Sequence, residues 1–415
     1  MKILWVKAGK LIPVNTGGRI RSYNLLRHLT TRHQVTLLSY YIGQQDAAYD
    51  AELCRQLPGA IALAIPRSGD SIGAQVLDYL PQLASRAPYA VTKFTAPEVQ
   101  GILHRCMEEG QFDVAVCDFL AASLNFPQEL PIPTVLFQHN CESLLWRRQA
   151  QFESNWLKRI AFKLEAAKMS SYEPTALRRF HHIIAVSEED RREMMRFTEG
   201  SRISVVPTGV DLRLYQGHEE GNAEPPVVVF TGSMDWEANI DGVEYFCREV
   251  WPLVQAKQPH ARFRIVGRDP HPRVRKLACD SVEVTGTVPS VVKHLREAIA
   301  LVVPLRIGGG TRLKIYEAMA MGKAVVSTSV GAEGLDVHDG RDILLGDDAE
   351  TFANGLIRLL GDGQLRQALG TAAARTAAQY DWPTIADRFA GVLERVTARH
   401  AAARETLAVG APISS

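Results

Sequence analysis

The stretch Pro304-Leu-Arg-Ile-Gly308-Gly-Gly-Thr-Arg312-Leu-Lys314-Ile-Tyr-Glu317-Ala-Met-Ala-Met-Gly322-Lys-Ala-Val-Val326 decides the fold. A strand ends at Pro304, and Gly308, Gly309 and Gly310 then let the backbone approach a ligand closely. Thr311 is placed to cap the helix that follows, whose unpaired N–H groups and positive dipole end favour a phosphate. Arg312 and Lys314 stand in its first turn, where cations are unfavourable unless an anion sits beside them. Glu317 lies one turn on, and because helical side chains lean towards the N-terminus its carboxylate reaches back to the same spot. A carboxylate is a natural acceptor for the two hydroxyls of a ribose. Gly322 ends the helix, and the next apolar run is another strand. The spacing does not match G-x-x-x-x-G-K-[ST], which excludes an ATPase P-loop. The plainer alternative is a glycine turn before a core helix.

Outward from this stretch the same alternation continues. In the second half, Val227–Thr231, Arg262–Val266, Val282–Thr285, Leu301–Pro304, Ala324–Ser327 and Ile343–Leu345 read as strands, with helices between them including Thr311–Met321 and Glu350–Leu360. In the first half, Ile3–Val6, Val35–Tyr40, Ala60–Ile65, Val114–Cys117, Thr134–Phe137, Ile183–Val186 and Ser204–Val206 are strands, and residues 18–32 form a helix with Ile20, Tyr23, Leu26 and Leu29 at helical spacing. Strands alternating with helices predict parallel sheets covered on both faces. Pro207-Thr-Gly209 is short Pro/Gly punctuation, and the polar run Gly217–Pro226 reads as an interdomain linker. The chain is therefore predicted to be α/β, with two doubly wound domains at residues 1–206 and 227–385. In such sheets ligands bind beyond the carboxyl ends of the strands.

Composition excludes several classes. Of 415 residues, 46% are hydrophobic and 22% charged, which is ample for packed cores. Residues 1–206 hold 24 Lys and Arg against 20 Asp and Glu, too slight an excess for a nucleic-acid binder. The six cysteines are scattered without a C-x-x-C, so neither a zinc site nor a disulfide framework is expected. The start turns polar by Lys7, too soon for a signal peptide. No apolar run approaches the roughly 18 residues that suggest a membrane span, and a cytoplasmic protein is expected.

The segment Gly308–Gly322 resembles the donor-binding motif of glycosyltransferase family four, retaining enzymes of the GT-B fold, in particular a bacterial branch with GGGTRLK-x-x-EAMA. The resemblance extends over Phe230-Thr-Gly-Ser-Met-Asp-Trp-Glu-Ala-Asn239, Ile265-Val-Gly267, Thr285-Gly-Thr-Val288, Val330-Gly-Ala-Glu-Gly334 and Tyr380-Asp-Trp382. It implies two Rossmann-like domains facing across a cleft, with an acceptor-side first domain, a nucleotide-sugar-binding second domain, and a C-terminal helix at 386–400 packing back on the first. The donor-side residues it implies are Gly17, Gly18, Gly232, Ser233, Gly267, Val288, Gly309, Gly310, Thr311, Leu313 and Glu317. The family's usual E-x7-E places its second Glu at Glu317 and its first at Gly309. Backbone N–H groups of Gly309, Gly310 and Thr311 would then take over from the missing carboxylate. No base follows the strand ending at Thr231, where many relatives carry one, so the diphosphate charge falls to Arg312 and Lys314. The family's donor-side His corresponds to His139, in Phe137-Gln-His-Asn-Cys-Glu142 just past a strand. Asp118 also ends a strand and is a candidate to face the acceptor.

What the resemblance implies is transfer of a sugar from a UDP- or GDP-linked donor to a glycan, lipid-linked or small-molecule acceptor, with retention and with no metal or cofactor beyond the donor substrate. A bacterial polysaccharide or glycoconjugate pathway is the expected setting. Two rivals share the nucleotide site: an epimerase or hydrolase acting on the sugar nucleotide alone, and a catalytically silent binding protein. Residues 146–182 carry eight Lys and Arg against three acids, with Trp156, Ile160 and Leu164 at i, i+4 and i+8. Such a helix either packs its apolar face on its own domain or lies as a peripheral contact on the inner face of an anionic membrane.

Overall fold

The computed structural model describes residues 1–66, 79, 81–153, 155–215, 224–308 and 312–409. It divides into two compact units, one formed by Met1–Pro207 with Trp382–Ser415 and the other by Thr208–Asp381. Each unit is built on a parallel sheet.

The first unit contains β1 (Lys2–Ala8), β2 (Gln34–Ile42), β3 (Ile61–Ile65), β4 (Val114–Asp118), β5 (Thr134–Phe137), β6 (His182–Ala185) and β7 (Ile203–Val205), in the order β3-β2-β1-β4-β5-β6-β7. The central strands are apolar on both faces, as a sheet layered between helices requires, and Ile3, Leu4, Trp5 and Val6 are all fully buried. The direction of the strand order reverses between β1 and β4, so the crevice beyond their carboxyl ends is the natural ligand position of this sheet.

The second unit contains β8 (Val227–Thr231), β9 (Arg262–Val266), β10 (Val282–Gly286), β11 (Ala300–Val303), β12 (Ala324–Ser327) and β13 (Leu344–Leu345), ordered β10-β9-β8-β11-β12-β13. Here the reversal lies between β8 and β11. The loop after β11 is the glycine-rich segment, and the helix Leu313–Ala320 carries the chain back to β12.

Three local expectations shift. The glycine-loop helix begins at Leu313 with Arg312 as its flanking residue, while Gly309, Gly310 and Thr311 lie outside the described residues. The second unit begins ahead of residue 227: Val210 N–H donates to the Tyr380 carbonyl at 2.8 Å, and Thr208–Tyr215 belongs to this unit. Of the linker residues, 217–223 lie outside those described. The C-terminal helix runs Trp382–Val409 and belongs to the first unit from its first residue. Trp382, Ile385, Phe389, Val392 and Val396 form its buried stripe at helical spacing. Phe389 packs against Trp5 at 5.4 Å and Phe137 at 5.1 Å between ring centroids.

Candidate functional site

In the second unit the residues singled out around the glycine loop converge at the ends of β8 and β11. The Lys314 ammonium donates to Asn239 Oδ1 at 3.3 Å and lies 3.9 Å from the centroid of the Phe230 ring. Asn239 is held in turn by its amide donating to the Ser233 carbonyl at 2.8 Å. Burial pushes the Lys314 ammonium down to about 7, Arg312 adds to the shift, and Glu317 opposes it. A desolvated lysine in the first turn of a helix is electrostatically costly in an empty protein, and an anion arriving there relieves that cost. Glu317, one turn on, is hydrogen-bonded by the Tyr215 hydroxyl; burial raises its carboxyl, while Tyr215 and Lys314 pull it down.

Two glycines make this geometry sterically feasible. A Cβ on Gly232 would stand 2.9 Å from both the Asn239 amide nitrogen and Lys314 Nζ, and one on Gly267 would be 1.6 Å from the Gly232 carbonyl oxygen. Gly308 is similarly crowded, its Cβ position lying 2.8 Å from the Arg312 guanidinium and 3.3 Å from the Glu333 carboxylate. Ser233 Oγ accepts from Arg268 Nε at 2.9 Å. Thus a base does stand by the β8 loop, but it arrives from the end of β9. Val288 lies two residues past β10, and Leu313 opens the helix; both are half-buried. Gly322, with φ +66°, ends that helix in the left-handed conformation. Asn239 and Tyr215 were not singled out as site residues from the sequence. Tyr215 carries no local signal at all, because its partner is 102 positions away.

The first unit brings its candidates together differently from expectation. Asp118 is fully buried and accepts from Trp5 Nε1 at 3.0 Å, Lys7 Nζ at 3.1 Å and His139 Nε2 at 2.7 Å. It does not present an open carboxylate to an acceptor. His139 is 2% exposed, and Arg21 donates to its Nδ1 at 2.9 Å. Burial pushes the imidazole down to about 3 against the pull of Asp118, so the ring is neutral, with its proton on Nε2 and both nitrogens engaged. The ring is thus held rigidly at the end of β5 by partners on both sides. Trp5 and Lys7 share one face of β1 by the two-residue strand period. An isolated Lys ending an apolar strand was the sequence signal for this network. Gly17 opens the helix Gly17–Leu29, and Gly18 lies against Phe119, whose Cζ would be 2.5 Å from a Cβ there.

His139→Ala is accordingly expected to destabilise the first unit by about 2–4 kcal/mol, from the cavity and from the hydrogen bonds to Asp118 and Arg21 that the ring no longer makes. Urea denaturation measures this. Parental stability in the variant would show that the ring does not hold this network together.

The long helix Trp156–Arg179 carries the amphipathic stripe of residues 146–182. Trp156, Leu157, Ile160 and Leu164 are 62%, 60%, 58% and 39% exposed, so this stripe does not pack on its own unit. The buried residues of the helix, Glu165, Ala166, Met169, Glu173, Pro174, Ala176 and Leu177, begin where the stripe ends. Lys158, Arg159 and Lys163 are exposed beside it. Among the described residues no helix is long and apolar enough to cross a membrane.

Comparison with known proteins agrees with the two sheets. Residues 16–214 match the family model described as Glycosyltransferase Family 4, and residues 225–362 match that described as Glycosyl transferases group 1. Sucrose-phosphate synthase from Thermosynechococcus elongatus superposes with a TM-score of 0.70 at 18% identity, over 96% of this chain and 100% of that one. Anabaena HepE in complex with UDP and glucose superposes with a TM-score of 0.65 at 16% identity, over 95% and 100%. A phosphatidyl-myo-inositol mannosyltransferase of Mycolicibacterium smegmatis is 30% identical over 52% of this chain and 57% of its own length. The chain thus spans little more than half of that relative. Fold and family matches together identify the chain as a glycosyltransferase of the GT-B fold.

Proposed function

We propose that the protein transfers a sugar from a UDP- or GDP-linked donor to a hydroxyl-bearing acceptor with retention of configuration, in the assembly of a bacterial polysaccharide or glycoconjugate. The observation that carries this reading is the half-buried Lys314 at a helix start, with Arg312 before it and Glu317 one turn beyond. That arrangement supplies two cations for a diphosphate and a carboxylate for a ribose. The glycosyltransferase family matches support the reaction class, and the UDP and glucose bound by HepE support a nucleotide sugar as donor.

In this reading the acceptor oxygen attacks the anomeric carbon on the face from which the diphosphate departs. The bond from that carbon to the phosphate oxygen breaks, and the leaving phosphate takes the acceptor's proton. Lys314 and Arg312 hold the charge that develops on the leaving group. Glu317 positions the nucleoside.

Glu317→Ala should weaken UDP binding by about 1–3 kcal/mol, the range for charge-assisted hydrogen bonds. Calorimetric titration of UDP into the folded variant measures this, and unchanged affinity would sink the ribose assignment. Rapid conversion of the donor with no acceptor present would favour the epimerase or hydrolase reading instead. Tight binding without turnover would favour a silent binding protein.

We also propose that the enzyme works at the inner face of a membrane, held peripherally by the Trp156–Leu164 stripe and its basic flanks. The exposure of four large apolar side chains within nine residues of one helix supports this. Isolated apolar residues on a surface are ordinary, but a contiguous patch calls for an occupant.

A further inference from the structure

A cavity stands at the switch point of the first sheet. It has a volume of about 230 Å³ and is lined by Ala8, Val91, Phe119, Leu120, Glu142 and Met169 among others. Ala8 is the last residue of β1, Phe119 and Leu120 follow β4 directly, and Glu142 opens the helix after β5. The cavity therefore occupies the crevice that a doubly wound sheet offers to a ligand.

Its wall is held under strain. Phe119 adopts φ +71°, a conformation that a bulky side chain rarely accepts and that persists only where the surroundings impose it. Here they do so from three sides. The ring stacks on His139 with centroids 3.6 Å apart, Lys7 Nζ lies 4.7 Å from its centroid, and Gly18 leaves no room for a Cβ beneath it. The buried network of Lys7, Asp118, His139 and Arg21 thus acts as a mount for one aromatic ring at the cavity's edge.

The chemistry of the lining is one-sided. Among the described residues that line it, Glu142 is the only ionisable one, and the others offer carbon and the weakly accepting thioether of Met169. A sugar with hydroxyls on all sides would leave most of them without partners, a heavy penalty in a desolvated site. An alcohol flanked by an apolar group leaves none.

We propose that this cavity receives the acceptor, that the acceptor is an alcohol bearing an apolar substituent, and that Glu142 is the hydrogen-bond partner of its hydroxyl. The assignment rests on the glycosyltransferase reading above and adds to it the class of acceptor. Burial, with Glu173 and Asp190 nearby and the Asn140 side chain opposing, pushes the Glu142 carboxyl up to about 8. At neutral pH it is mostly protonated and able to donate as well as accept. The volume is below the ~300–1,000 Å³ of complete small-molecule sites, so the cavity takes one part of the acceptor.

The test uses the full chain, with octyl β-D-glucoside below its micelle concentration and methyl β-D-glucoside as probes, and UDP titrated separately. The parent should bind the octyl compound at least tenfold more tightly than the methyl one. Glu142→Ala should weaken octyl glucoside at least fivefold, Glu142→Gln should largely restore it, and Ala8→Leu, which fills the cavity, should abolish it. UDP affinity should be unchanged in all three variants, and an unchanged circular dichroism spectrum and melting temperature report that they are folded. Equal binding of the two glucosides by the parent, or undiminished octyl binding in both Glu142→Ala and Ala8→Leu, overturns the assignment. Failure of the parent to bind UDP would instead overturn the donor reading, whatever the glucosides do.

Discussion

Replacing Lys314 with alanine should cut the rate of sugar transfer by about 10²–10³-fold, the range seen when one pre-placed donor to a developing oxyanion is removed. Its distinctive signature is in pH. Burial holds the free ammonium at about 7, whereas a bound diphosphate stabilises the charged form and raises that value. Between the two values, binding must take up a proton. UDP affinity should therefore be greatest below pH 7 and fall as pH rises above it, by as much as tenfold per unit while the bound form remains charged. Calorimetry in buffers of different ionisation enthalpy counts the protons directly. The parent should take up a fraction approaching one proton per UDP around pH 8, and Lys314→Ala none from this source. If parent and variant take up the same number of protons, Lys314 lies away from the phosphates. The slow step would then need another source of charge stabilisation.

The second large effect concerns lipid. Changing Arg147, Arg148, Lys158, Arg159 and Lys163 together to Glu should weaken binding to anionic vesicles by about 10³-fold or more, since each basic residue near such a surface contributes about 1 kcal/mol. Sedimentation with phosphatidylglycerol and phosphatidylcholine vesicles measures it. The parent should pellet with the anionic vesicles alone, and less so as salt rises and screens the attraction. Trp156→Ser with Ile160→Ser should weaken binding without changing its salt dependence, because the stripe contributes by burial of apolar area. A parent that stays in the supernatant at low salt would leave the stripe without lipid as its occupant and favour a water-soluble acceptor.

Most of the sheet architecture was legible in the chain. Thr134–Phe137, Val227–Thr231, Arg262–Val266 and Ala324–Ser327 coincide residue for residue with β5, β8, β9 and β12. The other nine predicted strands overlap their counterparts with ends shifted by one or two residues. Strands buried on both faces must be apolar throughout, so they stand out as short runs without any knowledge of their neighbours. The helix bounded by Arg312 and Gly322 was legible for a related reason, because glycine at each side marks where the backbone must do what other residues resist.

Side-chain partnership was not legible, and the residues of the first unit show why. His139 and Asp118 each stand at a strand end, where a ligand-facing group belongs, and from the sequence both qualify for that role. Only the parallel register of β1, β4 and β5 brings Trp5 and Lys7 together with Asp118 and His139 across intervals of more than a hundred positions, and so ties both groups into a buried mount for Phe119. The amphipathic pattern around Trp156 divides in the same way. Its periodicity is a property of the sequence, but whether the apolar side is covered depends on where neighbouring helices end along the sheet. The chain by itself determined two parallel α/β sheets and a helix set between glycines after β11, because local backbone chemistry and unbroken apolar runs suffice for those. The tertiary structure alone decided which polar groups neutralise one another and which face of the Trp156 helix meets solvent, because both depend on contacts between residues far apart in sequence.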